Sequence, residues 1–180
     1  MVTGADQIEF KLFSRISQST DISNCTFINK MRDKRFVAEH RGGPLKKEQH
    51  IQLIELACLY VEHVLPLADK IGERLINSLT VARAWKHGNA TVGDARKAAL
   101  VAIAVARECS NPTAIAVARA VGHAVATAHM ADHSLVAAWY ALKAVKSTGK
   151  SIEAERKWQD EQLPNEIKEL FLSARNDRNI

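Results

Sequence analysis

Histidine side chains gather in one stretch of the chain that otherwise carries few polar groups. Residues 112–133 read PTAIAVARAVGHAVATAHMADH, and Arg119 is their only charged residue before Asp132. The polar side chains that could act together in this stretch are Arg119, His123, Thr127, His129, Asp132 and His133. Because imidazoles bind metal ions and transfer protons near neutral pH, the pattern predicts polar chemistry in a protein interior.

A metal site is one interpretation of these histidines. His129 and His133 are four residues apart, so on one helix both could ligate a zinc ion. The sequence between them is HMADH, which lacks the glutamate that makes the metalloprotease pattern specific. Further ligands would have to come from another helix, and the candidates there are His50, Glu62 and His63. The sequence predicts no obligatory cofactor and leaves open a divalent metal such as zinc.

General acid–base catalysis is a second interpretation, since histidine and aspartate both suit it. No motif places a serine or cysteine nucleophile beside them. The sequence therefore favours a protein that is not an enzyme.

A hydrogen-bonded core network is the third interpretation, and the residues favour it over the other two. Arg119 and Arg83 would pair with Glu62 or Asp132, and the imidazoles would bond to carbonyls and hydroxyls. Charged groups persist in a protein interior only when they are paired in this way.

The elements that must position these side chains are all predicted to be helices. Residues 112–133 are apolar almost all the way round, which is typical of a helix at the centre of a bundle. On one unbroken helix, Arg119, His123 and Thr127 would share a stripe, with His129 and His133 on a neighbouring face. Periodicity, capping residues and Gly or Pro breaks predict the other helices near 45–64, 71–87, 92–109, 133–147, 151–162 and 165–174. We therefore expect an all-α fold, a compact bundle of about seven helices around a buried Ala-rich central helix.

The domain organisation follows from length and composition. A chain of 180 residues suits one domain with a real core. Weak periodicity and a Ser/Thr/Asn-rich stretch predict that residues 1–35 are a partly ordered extension, and that 36–180 form the helical domain. The sequence gives no indication of the oligomeric state.

Charge and cysteine content narrow the partners and the compartment. The three cysteines have no metal-ligand spacing, which fits reduced thiols in the cytosol. No segment has the pattern of a signal peptide, and residues 112–131 carry Arg119 and two histidines that disfavour a membrane span. The net charge is +5, but the only basic cluster is Lys30–Arg35. Nucleic-acid binding through that cluster would weaken steeply with salt, and a solvated surface is the simpler explanation.

Several spaced motifs together resemble one protein family. They are RGGPLKKEQHIQLIELAC (41–58), EHVLPL (62–67), VARAW (81–85), GHAVATAHMADHS (122–134), YALKAV (140–145) and RKWQDEQLP (156–164). In this order they resemble the Ala-rich bacterial family of putative immunity proteins of the immunity-protein-five-like kind, over about residues 36–174.

The resemblance implies an all-helical cytoplasmic protein that protects a bacterium by binding a cognate toxin. It assigns no role to His123, His129, Asp132 or His133, although these residues match its most recognisable motif. Immunity proteins against nucleases are often acidic, whereas this chain is basic. Its one net-acidic segment is 151–180, which would be either a local acidic docking face or a solvated tail helix.

Overall fold

A computed structural model describes residues 33–68 and 72–180 of the protein, and these form a bundle of α-helices. The seven α-helices within them are α1 (Lys47–Val64), α2 (Glu73–Lys86), α3 (Val92–Glu108), α4 (Pro112–Ala126), α5 (His133–Ser147), α6 (Ile152–Glu161) and α7 (Asn165–Asp177). Short 3-10 helices lie at Lys34–Phe36, Glu39–Arg41 and Leu65–Leu67. The described residues include no extended strand, only one isolated bridge between Ala38 and Leu45. The predicted all-α bundle is confirmed.

Capping residues begin α3 and α4 where the sequence predicts. Thr91 and Asp94 form a capping box at α3, with each side chain accepting a hydrogen bond from the other's backbone N–H at 3.1 and 2.9 Å. The Asn111 side chain caps α4 by accepting from Thr113 N (2.8 Å) and Ala114 N (3.2 Å), and Pro112 occupies the first helical position. These side chains satisfy backbone donors that the first helical turn leaves without partners.

Helix α4 lies at the centre of the bundle. Val117, Ala118, Ala120, Val121 and Ala124 on it are fully buried. It packs against α3, α5, α1 and α2. Small residues allow close approach, most clearly at Gly122, where an added Cβ would lie 2.7 Å from Ile103 Cδ1 of α3.

The segment that precedes α1 contains the sequence RGGP at 41–44, whose two glycines allow close turns. Gly42 has a φ of 79°, and a Cβ on Gly43 would overlap the Val37 carbonyl. Arg35 ties this segment to α7 by donating to Ser173 Oγ (2.9 Å) and pairing with Asp177 (2.7 Å).

Other predictions concern parts of the chain outside the described residues. Residues 1–32 of the predicted extension lie outside the described residues. Cys25 and the first half of the Lys30–Arg35 cluster lie in this part. Cys58 and Cys109 are both free thiols, and burial raises the pKa of Cys58 to about 12. Within residues 33–68 and 72–180, none of the helices combines the length and apolar character that crossing a bilayer requires.

Candidate functional site

A turn between α4 and α5 determines how the histidines meet. The predicted unbroken helix over 112–133 is wrong, because α4 ends at Ala126 and α5 begins at His133. Tight bonds of the i to i+3 type end α4: Thr127 N bonds to Ala124 O, Ala128 N to Val125 O, and His129 N to Ala126 O. The chain then turns so that α5 packs on α4, although the usual turn residues Gly and Pro are absent from 123–133.

The turn brings three imidazoles together, and we call His123, His129 and His133 the histidine cluster. His123 Nδ1 and His133 Nδ1 are 3.1 Å apart, so one carries a proton that the other accepts. The rings of His129 and His133 have centroids 5.2 Å apart. The sequence predicted the three imidazoles on neighbouring faces of one helix, whereas in the structure a turn between two helices brings them together.

Aromatic and cationic groups surround His123. Its ring stacks on Tyr140 of α5 with centroids 5.4 Å apart and planes 11° apart. Arg119 donates to the Tyr140 hydroxyl at 3.4 Å, and its guanidinium lies 5.7 Å from the ring centre. Burial, and then the nearby His133, Arg119 and His129, hold the pKa of His123 well below its ordinary value of 6.5. The cluster therefore favours neutral His123 at physiological pH.

The remaining polar side chains of this stretch, those of Asp132 and Thr127, bond to groups other than the three imidazoles. Asp132 forms an ion pair with Arg178 at 3.2 Å. The Thr127 hydroxyl donates to the His123 carbonyl (3.1 Å), and the Thr127 carbonyl lies 2.6 Å from His50 Nε2. His50 also packs on the Trp85 ring at 5.0 Å, and burial lowers the pKa of His50. Arg119 thus contacts a tyrosine and not the predicted carboxylate.

The other candidate ligands of α1 are engaged away from the histidine cluster. Glu62 forms an ion pair with Arg83 of α2. His63 Nδ1 lies 3.0 Å from Glu155 Oε2, and the His63 ring stacks on Trp158 with centroids 3.7 Å apart. In the part of the chain that the structure describes, no group of three or more His, Cys, Asp or Glu residues is arranged to hold a metal ion.

The structure shows a buried polar network around Gln159 that sequence reasoning missed. Arg175, only 3% exposed, donates to Gln159 Oε1 at 2.7 Å and pairs with Asp160. Gln159, 0% exposed, donates in turn to Glu155 Oε1 at 3.2 Å. The signal available in the sequence was the spacing of Glu155, Gln159 and Leu163, which places polar residues on the inward face of α6.

The acidic segment 151–180 is accordingly not a uniformly solvated tail. Glu155 is buried, and Asp160 is held by Arg175. The segment packs on the bundle through Ile167 and Phe171, both fully buried.

Two surface clefts formed by described residues lie away from the imidazoles. One, of about 380 Å³, lies between α1, α2 and the α6–α7 connection, where Leu59, Cys58 and Arg83 are among its lining residues. The other, of about 470 Å³, is bordered by charged residues of α6 and by Lys168. Neither cleft is lined by a member of the histidine cluster.

Comparison with known protein families identifies a match. The model of a family described as "Imm-5 like putative immunity protein" matches residues 43–166, which is more than two thirds of the chain. The chain belongs to this family. The match confirms the resemblance seen in the sequence motifs, over a slightly shorter range than 36–174.

The region shared with the family runs from the residue before Pro44 into the first turn of α7. It includes the histidine cluster and Gln159, and it ends before Arg175. Comparisons with curated proteins and with solved structures gave no match.

Proposed function

We propose that this protein is an immunity protein that neutralises a cognate bacterial toxin by binding it, without catalysis. The observation that carries the proposal is the family match over residues 43–166. The proposal places the protein in the bacterial cytoplasm, where it would meet the toxin. The partner is therefore a protein, and neither a membrane nor a nucleic acid is required.

The contacts of the histidine cluster support a binding role over an enzymatic one. His123 shares a proton with His133 and stacks on Tyr140, and Arg119 is held by the same tyrosine. The Thr127 hydroxyl donates to the His123 carbonyl, and Asp132 pairs with Arg178. Side chains that hold one another in this way stabilise a core and specify its packing.

The decisive experiment is co-expression with the genes that flank the gene for this protein. We expect one flanking product to arrest growth alone and to be tolerated when this chain is present at equal or higher level. Purified together, the two proteins should form a stoichiometric complex, measured by gel filtration with light scattering and by calorimetry. Protection by far fewer copies of this chain than of toxin would contradict a binding mechanism and indicate turnover.

A metal- or small-molecule-binding domain is the second candidate function, and one observation favours it. The Nδ1 atoms of His123 and His133 are 3.1 Å apart, a separation that two ligands of one metal ion can have. In that case His123 and His133 would supply two nitrogen ligands, His129 would have to move to join them, and a hydrolytic activity could follow.

Elemental analysis of the purified, untagged protein separates the two candidates. Under the immunity proposal we expect no stoichiometric zinc or iron, and the variants His129→Ala and His133→Ala should only lose stability. Stoichiometric metal that both variants lose would favour the second candidate. The variant His87→Ala, at an exposed histidine at the end of α2, is the matched control.

A further inference from the structure

Helix α3 has an unusual distribution of residue sizes. Its inward face is mostly alanine: Ala95, Ala99 and Ala102 are fully buried, Ala106 is 5% exposed, and the one large side chain against α4 is Ile103, beside Gly122. Its larger residues Leu100 and Val101 point outward and are 41% and 40% exposed. A helix that served only to cover this bundle would normally present polar residues to water, so the outer face calls for another explanation.

The sequence of α3 suggests that the helix is covered on both sides in its working state. Residues 98–106, AALVAIAVA, are nine consecutive apolar residues. A helix that is apolar all round is typically buried all round. The hexapeptide AIAVAR occurs in both α3 (102–107) and α4 (114–119). In α4 it lies at the bundle centre, whereas among the described residues α3 packs mainly on α2 and α4.

Positive charge frames this outer face. Lys97 and Arg107 are both exposed, and neither has an ion-pair partner among the described residues. Of the acidic residues at the two ends of α3, Asp94 accepts a hydrogen bond from Thr91 and interacts electrostatically with Lys97, and Glu108 pairs with Arg74. Residues 95–150 as a whole contain seven basic and two acidic residues, a difference of +5 that equals the net charge of the chain.

We infer that the outer face of α3, formed by Lys97, Leu100, Val101, Ala104 and Arg107, is the docking surface for an acidic protein partner. The inference rests on the proposed function, and the partner is then the toxin. Leu100 and Val101 form the apolar centre that water leaves on binding, and the two cations form a rim that steers an acidic surface.

Charge and apolar area favour this occupant over two others. If a second copy of the chain docked through the same face, Lys97 and Arg107 of each copy would face the same positive charges of the other, and like charges repel. A nucleic acid would satisfy the cations but would leave Leu100 and Val101 without apolar contact, since its backbone offers phosphates. It follows that the toxin surface recognised here is acidic and differs from the basic substrate groove of a nuclease.

The test uses the full chain and the toxin that co-expression identifies. The variants are Leu100→Ser and the double variant Lys97→Glu with Arg107→Glu. The control is the double variant Lys150→Glu with Lys157→Glu, which makes the same change of charge at two exposed side chains outside this face. Because all these positions are exposed, we expect unchanged thermal unfolding.

Calorimetry at low and moderate salt should show Kd weakened by about tenfold or more in both α3 variants, with a smaller salt dependence in the charge variant. The control should bind as the wild type does.

Each other outcome has its own meaning. Full affinity in both α3 variants would overturn the assignment of this surface and leave the proposed function intact. Failure of every flanking product to bind the wild-type chain would overturn the proposed function, and this inference with it. If the wild-type chain binds random duplex DNA and the α3 variants do not, the face binds nucleic acid instead. If the wild-type chain dimerises in ultracentrifugation and the α3 variants do not, the face is a dimer interface instead.

Discussion

At the scale of single residues, Gln159 holds two charged side chains inside the protein. Its amide bonds Arg175 through Oε1 and Glu155 through Nε2, while its carbonyl accepts from the Tyr60 hydroxyl at 2.7 Å. Burial lowers the pKa of Arg175, and Asp160 partly offsets that effect. A buried charge that loses a partner costs more than the net value of the bond that is lost.

The variant Gln159→Ala should therefore lower the free energy of unfolding by about 2–3 kcal/mol. Urea denaturation measures the loss. The control is Gln162→Ala, one turn further on, where the half-buried side chain donates to Trp158 O of the preceding helical turn. That variant should change the free energy by less than about 0.5 kcal/mol. Equal losses in the two variants would show that the Gln159 network adds nothing specific.

Two buried histidines predict that acid destabilises the protein. Burial lowers the pKa of His50 and of His123 below the ordinary value of 6.5. Well above pH 6.5 both residues are neutral whether the chain is folded or unfolded. Below it, the unfolded chain binds protons that the folded chain does not, so stability falls as the pH falls.

Each of these histidines contributes a slope of up to about 1.4 kcal/mol per pH unit below its unfolded pKa. We expect urea midpoints to drop between neutral pH and about pH 5, and His123→Gln to drop less steeply than the wild type. Gln162→Ala, which removes no titratable group, should retain the full slope. An identical slope in His123→Gln would mean that His123 takes up a proton as readily in the folded protein as in the unfolded chain.

At the scale of elements, the contact between α3 and α4 depends on Gly122. A Cβ there would lie 2.7 Å from Ile103 Cδ1 and 3.3 Å from the Ala99 carbonyl. The Ile103 methyl can shift, but the backbone oxygen cannot move without moving α3. Gly122 is thus retained for the close helix approach, although glycine weakens a helix interior.

Gly122→Val should lower the free energy of unfolding by about 1–3 kcal/mol because it overfills this contact. Gly93→Ala is the matched control, since its Cβ would meet only Thr91 Oγ1 at an ordinary 3.5 Å. That change should raise stability by up to about 1 kcal/mol. Thermal and urea unfolding of the two variants would thus move in opposite directions, and stabilisation by both would show that α3 and α4 have room to separate.

At the scale of the whole molecule, residues 33–180 form one compact unit. The buried apolar residues described above all belong to it, as do the Arg35–Asp177 pair and the Gln159 network. A unit of this size can bury enough surface to be stable by itself.

We therefore expect a chain of residues 33–180 to unfold cooperatively, in a single urea transition seen equally by circular dichroism and tryptophan fluorescence. A chain of residues 47–180, which also loses the segment that carries Arg35, should be less stable. Non-coincident transitions in the longer of the two chains would contradict an independent domain that begins near residue 33.

The sequence by itself determined the helical class, the capped starts of α3 and α4, the family and the list of polar residues at the centre. These features depend on local patterns, such as Asn111 before Pro112, that one segment specifies without help from its neighbours. Only the tertiary structure decided which polar groups meet. It ended α4 at Ala126 without a glycine or proline, because the packing of α5 on α4 favours the turn. It also paired Asp132 with Arg178 and buried Arg175 beside Gln159, since such partners are distant in sequence and depend on how the helices pack.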